Sequence, residues 1–261
     1  MVRVALLSAV LLAAGVSPAA QSATSRTLIV AAASDLQAAM PELVNGFERD
    51  AKATVTVSFG SSGNFFAQIQ NGAPFDVYFS ADIDYPKQLV ASGHADGSSL
   101  YQYATGRIVL WTRKDSGIDV SKGLAGLRDP RVTRIAIANP KYAPYGRAAE
   151  AALRHEKVYD AVRGKLVLGE NISQTAQLVD SGNAQVGILA HSLALGAVLR
   201  ASGTYVEIPA TAHPPIDQAA VVISTSKHKA LAGEFLAYLR RPEAGRILQR
   251  FGFTQPPPPA R

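Results

Sequence analysis

Four short segments rich in Ser, Gly, Pro or Asn each lead into a predicted helix. They are residues 31–36, 60–64, 139–146 and 169–173. A helix begins with N–H groups that have no acceptor inside the helix, and its aligned peptide dipoles favour negative charge there. Several such helix starts facing one crevice would bind an oxyanion without any Arg or Lys.

Each segment taken alone also has an ordinary structural explanation. Ser34 can be an N-cap that binds a backbone N–H of the helix after it. The Gly60-Ser-Ser-Gly63 stretch can be a solvated turn. Asn171-Ile172-Ser173 matches a glycosylation sequon, a short pattern with many chance matches. The anion-binding hypothesis therefore depends on all of the segments occurring at the same kind of junction.

Enzymatic and metal chemistries find little support in the residue types. The chain has no cysteine, which excludes disulfides, thiolate metal sites and cysteine nucleophiles. Gly60-Ser-Ser-Gly63 does not match the G-x-S-x-G nucleophile motif, and His155-Glu156 lacks the second histidine of H-E-x-x-H. The sequence does not exclude a carboxylate pair for glycoside hydrolysis. We expect a protein that is not an enzyme and uses no cofactor.

The elements that must position these segments alternate between strand-like and helical patterns, which predicts an α/β fold. In open α/β sheets, ligands lie in the crevice at the carboxyl ends of the strands. The predicted strands are 28–32, 54–59, 76–80, 107–111, 134–138, a short one near 166, 185–190 and 219–223. The predicted helices are 39–47, 66–70, 147–155, 172–180, 227–239 and 242–251.

The order of these elements predicts two lobes with a ligand cleft between them. Each lobe is expected to hold a mixed sheet flanked by helices. Lobe 1 would contain residues 24–105 and a return segment, 213–254, whereas lobe 2 would contain 106–212. The two crossings would form a hinge. The Pro-rich tail, 255–261, should be loose.

The N-terminus predicts export. Residues 1–23 combine Arg3, an apolar run over 4–16 and small residues after Pro18, which is typical of a cleaved secretory signal. The run is shorter than the ~20 residues of a membrane-spanning helix. We expect a soluble periplasmic protein.

The net charge of +6 requires nucleic acid to be considered as a partner. The basic residues are scattered and are not interleaved with aromatic residues, as they are on a nucleic-acid-binding face. We therefore expect no nucleic-acid partner. We also expect the protein to be a monomer.

Five stretches of the sequence together carry a resemblance to a known family. The stretches are AAAS at 31–34, SFGSSG at 58–63, NGAPFDVYFSAD at 71–82, NPKYAPYG at 139–146 and FGFT at 251–254. They resemble the periplasmic molybdate-binding proteins of ABC transporters, within the type II periplasmic binding proteins. The resemblance covers about residues 27–254 and implies a protein that captures molybdate or tungstate and delivers it to a membrane permease.

The resemblance also implies which residues hold the anion. Ser34 and Ser62 would offer hydroxyls together with backbone N–H groups. Tyr145 and Ile172 would act through backbone N–H groups alone, with side chains that shape the cavity. The metal would be bound as its oxyanion, without direct coordination by side chains.

Three positions qualify that implication. Some relatives place a tyrosine hydroxyl where this sequence has Ala190. Asp35 would repel a dianion if it faced the pocket, so we expect it to point away, toward the helix N-terminus. Arg147 facing the cleft would favour a small carboxylate as the ligand instead.

A binding site made only of hydrogen-bond donors discriminates between anions that carry a proton and anions that do not. Phosphate near neutral pH carries a proton that would find no acceptor, so it should be disfavoured. Sulfate is a dianion without a proton, so only the size of the cavity would exclude it. Sulfate therefore remains an alternative ligand.

Overall fold

The computed structural model describes residues 26–256. The predicted signal peptide at 1–23 and most of the predicted tail, residues 257–261, lie outside the described residues. Within 26–256, no helix has the length and apolar character needed to cross a membrane.

Strands and helices alternate along the described chain, and short 3-10 turns join some of them. The strands are β1 Thr27–Ala33, β2 Thr54–Gly60, β3 Val77–Ser80, β4 Tyr101–Gly106, β5 Ile108–Arg113, β6 Ile135–Ala138, β7 Leu166–Gly169, β8 Val186–Ala190, β9 Gly203–Glu207 and β10 Ile216–Val222. The helices are α1 Met40–Ala51, α2 Ser62–Gln70, α3 Asp84–Ala91, α4 Pro144–His155, α5 Tyr159–Val162, α6 Ile172–Asp180, α7 His191–Ala194, α8 Ala197–Ser202, α9 Lys229–Leu239 and α10 Pro242–Arg250.

The strands form two five-stranded sheets, which we use to define lobe 1 and lobe 2. The order in lobe 1 is β2-β1-β3-β10-β4, and the order in lobe 2 is β7-β6-β8-β5-β9. In lobe 1, β1 runs parallel to β2 and β3, while β10 is antiparallel to its neighbours. In lobe 2, β6 is parallel to β7 and β8, and β5 is antiparallel to its neighbours. The predicted α/β fold with two mixed sheets is confirmed.

The two lobes have separate cores that touch at the ends of the strands. Apolar side chains of α1, α9 and α10 cover one face of the lobe 1 sheet, with Phe47 packed on Phe235 at 4.8 Å between ring centroids. The core of lobe 2 includes the fully buried Trp111. Ala33 and Ala81, at the carboxyl ends of β1 and β3, pack into the core of lobe 2. The carboxyl-end edge of lobe 1 therefore lies against lobe 2.

The chain crosses between the sheets at two places. One crossing joins β4 to β5 at Arg107, and the other joins β9 to β10 through residues 208–215. A bulge between Gln218 and Ala219 interrupts the pairing of β10 with β4, beside the second crossing.

The sequence patterns missed two strands, β4 and β9, and four helices, α3, α5, α7 and α8. Both strands are outermost in their sheets. An edge strand has a neighbour on one side and carries fewer apolar residues, so a search for apolar runs overlooks it.

Two helices also begin earlier than predicted. Helix α2 begins at Ser62 instead of residue 66, and α4 at Pro144 instead of residue 147. Their first turns contain Gly, Ser and Tyr in place of an apolar stripe, so helical periodicity does not detect them. Ser62 and Tyr145 therefore belong to the first turns of helices and not to the loops before them.

The start of α4 packs closely on the end of β6. A Cβ at Gly146 would lie 2.1 Å from the carbonyl oxygen of Ala138, closer than van der Waals contact allows. Glycine at this position brings the first turn of α4 against the strand that precedes it.

We expect Gly146→Ala to lower the melting temperature by several degrees, because the overpacking costs ~1–3 kcal/mol. Gly233→Ala in α9 is the matched control, since a Cβ there meets no atom within 4 Å and the substitution improves helix propensity by up to ~1 kcal/mol. Thermal unfolding followed by circular dichroism measures both. Equal melting temperatures for the two variants would contradict the close approach.

Candidate functional site

Three helices begin at the carboxyl ends of parallel strands and direct their first-turn N–H groups out of the helix. Ser62 is the first residue of α2, Tyr145 the second of α4 and Ile172 the first of α6. These N–H groups have no acceptor within their own helix. The strands that precede the helices are β2 in lobe 1 and β6 and β7 in lobe 2. Both lobes thus bring backbone donors to the surface where they meet.

The hydroxyl of Ser62 is fixed by its neighbours. Ser62 is fully buried, and its Oγ accepts a hydrogen bond from the N–H of Ala81 at 2.9 Å. The hydroxyl of Tyr78 donates to the Ser62 carbonyl oxygen at 2.7 Å. Because Oγ acts as an acceptor here, its hydrogen can be donated to a bound oxyanion.

Ser34 reaches from lobe 1 to the start of α6 in lobe 2. It follows β1 as the first residue of a 3-10 turn and is 2% exposed. Its hydroxyl donates to Asn171 Oδ1 at 3.3 Å and accepts from the N–H of Ser173 at 3.3 Å. The structure therefore brings Ser34 beside Ile172, which lies between these two partners in the sequence.

Asn171 is a residue of the site that the sequence interpretation did not include. It is the N-cap of α6, and its Oδ1 accepts from the N–H groups of Ser173 and Gln174, both at 3.0 Å. The N–H of Ile172, one position earlier, is not used by this cap. An Asn immediately before an apolar helical period was the available signal.

Helix α2 joins the same region through two contacts between the lobes. The N–H of Gly63 donates to the carbonyl oxygen of Tyr142 at 2.9 Å, and Asn64 Nδ2 donates to Glu170 Oε1 at 3.1 Å. These partners directly precede α4 and α6. The predicted ligand residues Ser34, Ser62, Tyr145 and Ile172 are between 0 and 3% exposed. The structure brings all four to the contact between the lobes, where they are shielded from solvent.

The guanidinium of Arg147 faces a carboxylate of the other lobe. It forms an ion pair with Asp82, and its Nη1 donates to the Tyr85 hydroxyl at 3.4 Å. The positive charge of Arg147 is therefore already paired with the carboxylate of Asp82. This arrangement argues against a ligand carboxylate held by Arg147, the alternative that the sequence left open.

Asp35 lies in a buried polar cluster. Its Oδ2 accepts from the Tyr145 hydroxyl at 2.9 Å and from Gln218 Nε2 at 2.6 Å. Burial raises the pKa of Asp35 to about 7, against a smaller lowering by hydrogen bonds from Gln218, Tyr145 and nearby backbone N–H groups. The expectation that Asp35 points toward a helix N-terminus missed its main partners, a tyrosine of lobe 2 and a glutamine of β10.

The side chain of Tyr145 does more than shape a cavity. Its hydroxyl accepts from Gln218 Nε2 at 3.0 Å while donating to Asp35, so it links α4 to lobe 1. Ala190 is fully buried at the end of β8 and supplies no hydroxyl. Two residues later, Ser192 Oγ donates to the carbonyl oxygen of Asp35 at 2.7 Å and adds another contact between the lobes.

The described part of the chain also bears on two other chemistries, a metal site and a Ser-His pair. Residues 26–256 contain no group of three or more His, Cys, Asp or Glu placed to hold a metal ion. Ser92 Oγ lies 2.9 Å from His94 Nδ1, but this pair is in an exposed turn, and the hydroxyl also contacts the Gln88 carbonyl oxygen at 2.8 Å. What the described residues do show is a set of buried, uncharged donor residues contributed by both lobes.

Comparisons with known proteins find relatives over nearly the whole described chain. A family model described as bacterial extracellular solute-binding protein matches residues 28–254. The molybdate-binding protein ModA of Azotobacter vinelandii is 35% identical over 247 residues, covering 95% of this chain and 97% of the relative. The protein of the same name from Rhodobacter capsulatus is 37% identical over 227 residues, 87% of this chain and 88% of its own. A solved structure, the Azotobacter vinelandii periplasmic molybdate-binding protein, aligns with a TM-score of 0.82 at 33% identity, covering 88% of this chain and 100% of that one.

Proposed function

This chain belongs to the family of bacterial extracellular solute-binding proteins, and on that basis we propose that it captures molybdate, and also tungstate, between its lobes. Ser34 and Ser62 would donate through hydroxyl and backbone groups, and Tyr145 and Ile172 through backbone N–H groups. The protein binds the anion and does not transform it.

The convergence of uncharged donors from both lobes carries the proposal. A buried oxyanion needs a donor for each oxygen, because an unpaired buried polar group costs ~1–3 kcal/mol and a charged one more. Helix starts supply such donors already oriented, and their dipoles favour negative charge. A dianion without a proton fits this set, since the proposed donors include no group that must act as an acceptor.

The same proposal places the protein in a transport system. We propose that residues 1–23 direct export to the periplasm, that the protein acts as a monomer, and that an ABC-type membrane permease receives the anion. The connections at Arg107 and at 208–215 would serve as the hinge between the lobes. Contacts such as Gly63 to Tyr142 would form on closure and give the permease a shape to recognise.

Thermal unfolding of the mature chain with different anions tests the function directly. Molybdate or tungstate at a hundredfold excess over its Kd should add ~2.7 kcal/mol of stability and raise the melting temperature. Phosphate should leave it unchanged at the same concentration. Stabilisation by sulfate alone would show that the protein serves a different oxyanion.

We expect Ser62→Ala to weaken molybdate binding about 10- to 100-fold, because the anion loses a hydroxyl donor worth ~1.5–3 kcal/mol. Ser92→Ala, an exposed serine at the end of α3, is the control and should bind like the unchanged protein. Isothermal titration calorimetry gives both affinities, and melting without anion confirms folding. Equal affinities for the two variants would remove Ser62 from the site.

Loss of the ion pair between Arg147 and Asp82 should accelerate the release of bound molybdate. The pair joins the lobes and is partly exposed, so Arg147→Met should weaken binding about two- to fivefold, mainly through a faster off-rate. Arg154→Met removes an ion pair within α4, to Glu150, and is the control. Stopped-flow displacement of molybdate by excess tungstate measures the off-rates. An unchanged off-rate in Arg147→Met would mean that this pair does not hold the lobes together.

A further inference from the structure

The side chains of a polar cluster buried between the lobes are not among the groups proposed to donate to the anion. The cluster contains Asp35 after β1, Tyr145 on α4, Gln218 on β10 and Tyr103 on β4, and all are between 0 and 2% exposed. Its members come from lobe 2, from the lobe 1 sheet and from the bulged part of β10 next to a crossing between the lobes.

The hydrogen bonds of this cluster have defined directions. The Tyr103 hydroxyl donates to Gln218 Oε1 at 2.6 Å, which turns the Gln218 amide nitrogen toward Asp35 and Tyr145. Tyr145 accepts from that nitrogen, so its own hydrogen is donated to Asp35 Oδ2. Burial raises the pKa of Tyr145 and of Tyr103 well above the usual range, so both hydroxyls stay protonated. Asp35 Oδ2 therefore accepts both of its hydrogen bonds, one from Tyr145 and one from Gln218.

The surroundings of Asp35 are unfavourable for a negative charge. Its side chain contacts the neutral groups of Tyr145 and Gln218 and the backbone N–H groups of Asp35 and Leu36, and Ser192 on α7 donates to its backbone oxygen. The main causes of its pKa shift are burial and hydrogen bonds, and no charged side chain is among them. Its Oδ1 is buried and makes no hydrogen bond to any described residue. A neutral carboxyl group carries its proton on this oxygen, because Oδ2 already accepts two bonds.

The position of Asp35 next to Ser34 couples its charge to the anion. A dianion held by Ser34 would lie one residue from this carboxyl group, and like charges in a poorly solvated region repel strongly. A bound dianion therefore favours the neutral form of Asp35 further. Separation of the lobes would withdraw Tyr145 and admit water, so the carboxyl would return toward its ordinary pKa of ~3.9.

We propose that Asp35 is a positioning residue whose neutral carboxyl group joins the lobes through Tyr145, so that capture of the anion takes up a proton. This inference rests on the proposed function. An Asp whose pKa is higher in the closed complex than in the open protein makes closure less favourable as pH rises between the two values. Affinity should therefore fall by close to tenfold per pH unit within that window.

The histidine adjacent to Ser192 would act with the opposite sign. His191 on α7 precedes Ser192, and burial together with Arg107 lowers its pKa. A histidine that becomes buried on closure releases a proton, whereas Asp35 takes one up. The direction of proton exchange thus distinguishes the two groups.

Calorimetric titration of the mature protein with sodium molybdate, from about pH 6 to pH 9, tests the proposal. Paired buffers of different ionisation enthalpy report the protons exchanged. We expect uptake approaching one proton per molybdate near pH 6, and an affinity that falls close to tenfold by pH 7. Asp35→Asn keeps an oxygen for the Tyr145 hydroxyl but cannot ionise, so its uptake should vanish and its affinity should not vary with pH.

Two further variants separate titration of Asp35 from a structural role. Asp217→Asn, beside Gln218 on β10, is the matched control and should keep the proton uptake of the unchanged protein. Tyr145→Phe removes a bond that lowers the pKa of Asp35, so the fall in affinity should extend to higher pH.

The possible failures are distinguishable. Molybdate binding without proton uptake in the unchanged protein, or uptake that persists in Asp35→Asn, overturns this inference and leaves the proposed function intact. Absence of molybdate binding at every pH overturns both.

Discussion

The N–H groups at the start of a helix cannot be satisfied within that helix, and much of this molecule is organised around that constraint. Parallel strands end at a common edge of each sheet, so the helices that follow them begin at the same edge. Helices α2, α4 and α6 thus present their first turns where the lobes meet. Buried donors of this kind require acceptors, and a tetrahedral oxyanion supplies several in a small volume. This requirement links the fold to the proposed ligand.

The precision of the site depends on short-range packing around these helix starts. Gly146 allows α4 to approach the end of β6, and the Asn171 cap satisfies two N–H groups of α6 without using that of Ile172. The hydroxyl of Ser62 is oriented by the N–H of Ala81, at the end of β3. Each donor is thus held by the strand end or the cap beside it, and little reorganisation is needed when the lobes meet.

The net charge of the protein has a secondary role in anion capture, and it acts at longer range than the donors. The net charge of +6 favours the approach of an anion, although salt screens this effect within ~8–10 Å. Close to the site, Arg147 is neutralised by Asp82. The buried acid beside Ser34, Asp35, has neutral partners, which makes its protonation sensitive to closure. Selectivity for a dianion can therefore come from uncharged donors, with one titratable group linked to the movement of the lobes.

The sequence by itself determined the alternation of strands and helices, the α/β class and the junctions at which Ser34, Ser62, Tyr145 and Ile172 lie. These features are local, because apolar periodicity and the residue types at helix starts depend on near neighbours in the chain. Edge strands such as β4 and the early start of α4 escaped this approach, since neither carries an apolar stripe. Only the tertiary structure decided the partners of Asp35, Arg147 and Asn171. Each contacts a residue of the other lobe that is more than 60 positions away, at Tyr145, Asp82 and Ser34 respectively. Such pairings are set when the two lobes pack together, and spacing along the chain carries no record of them.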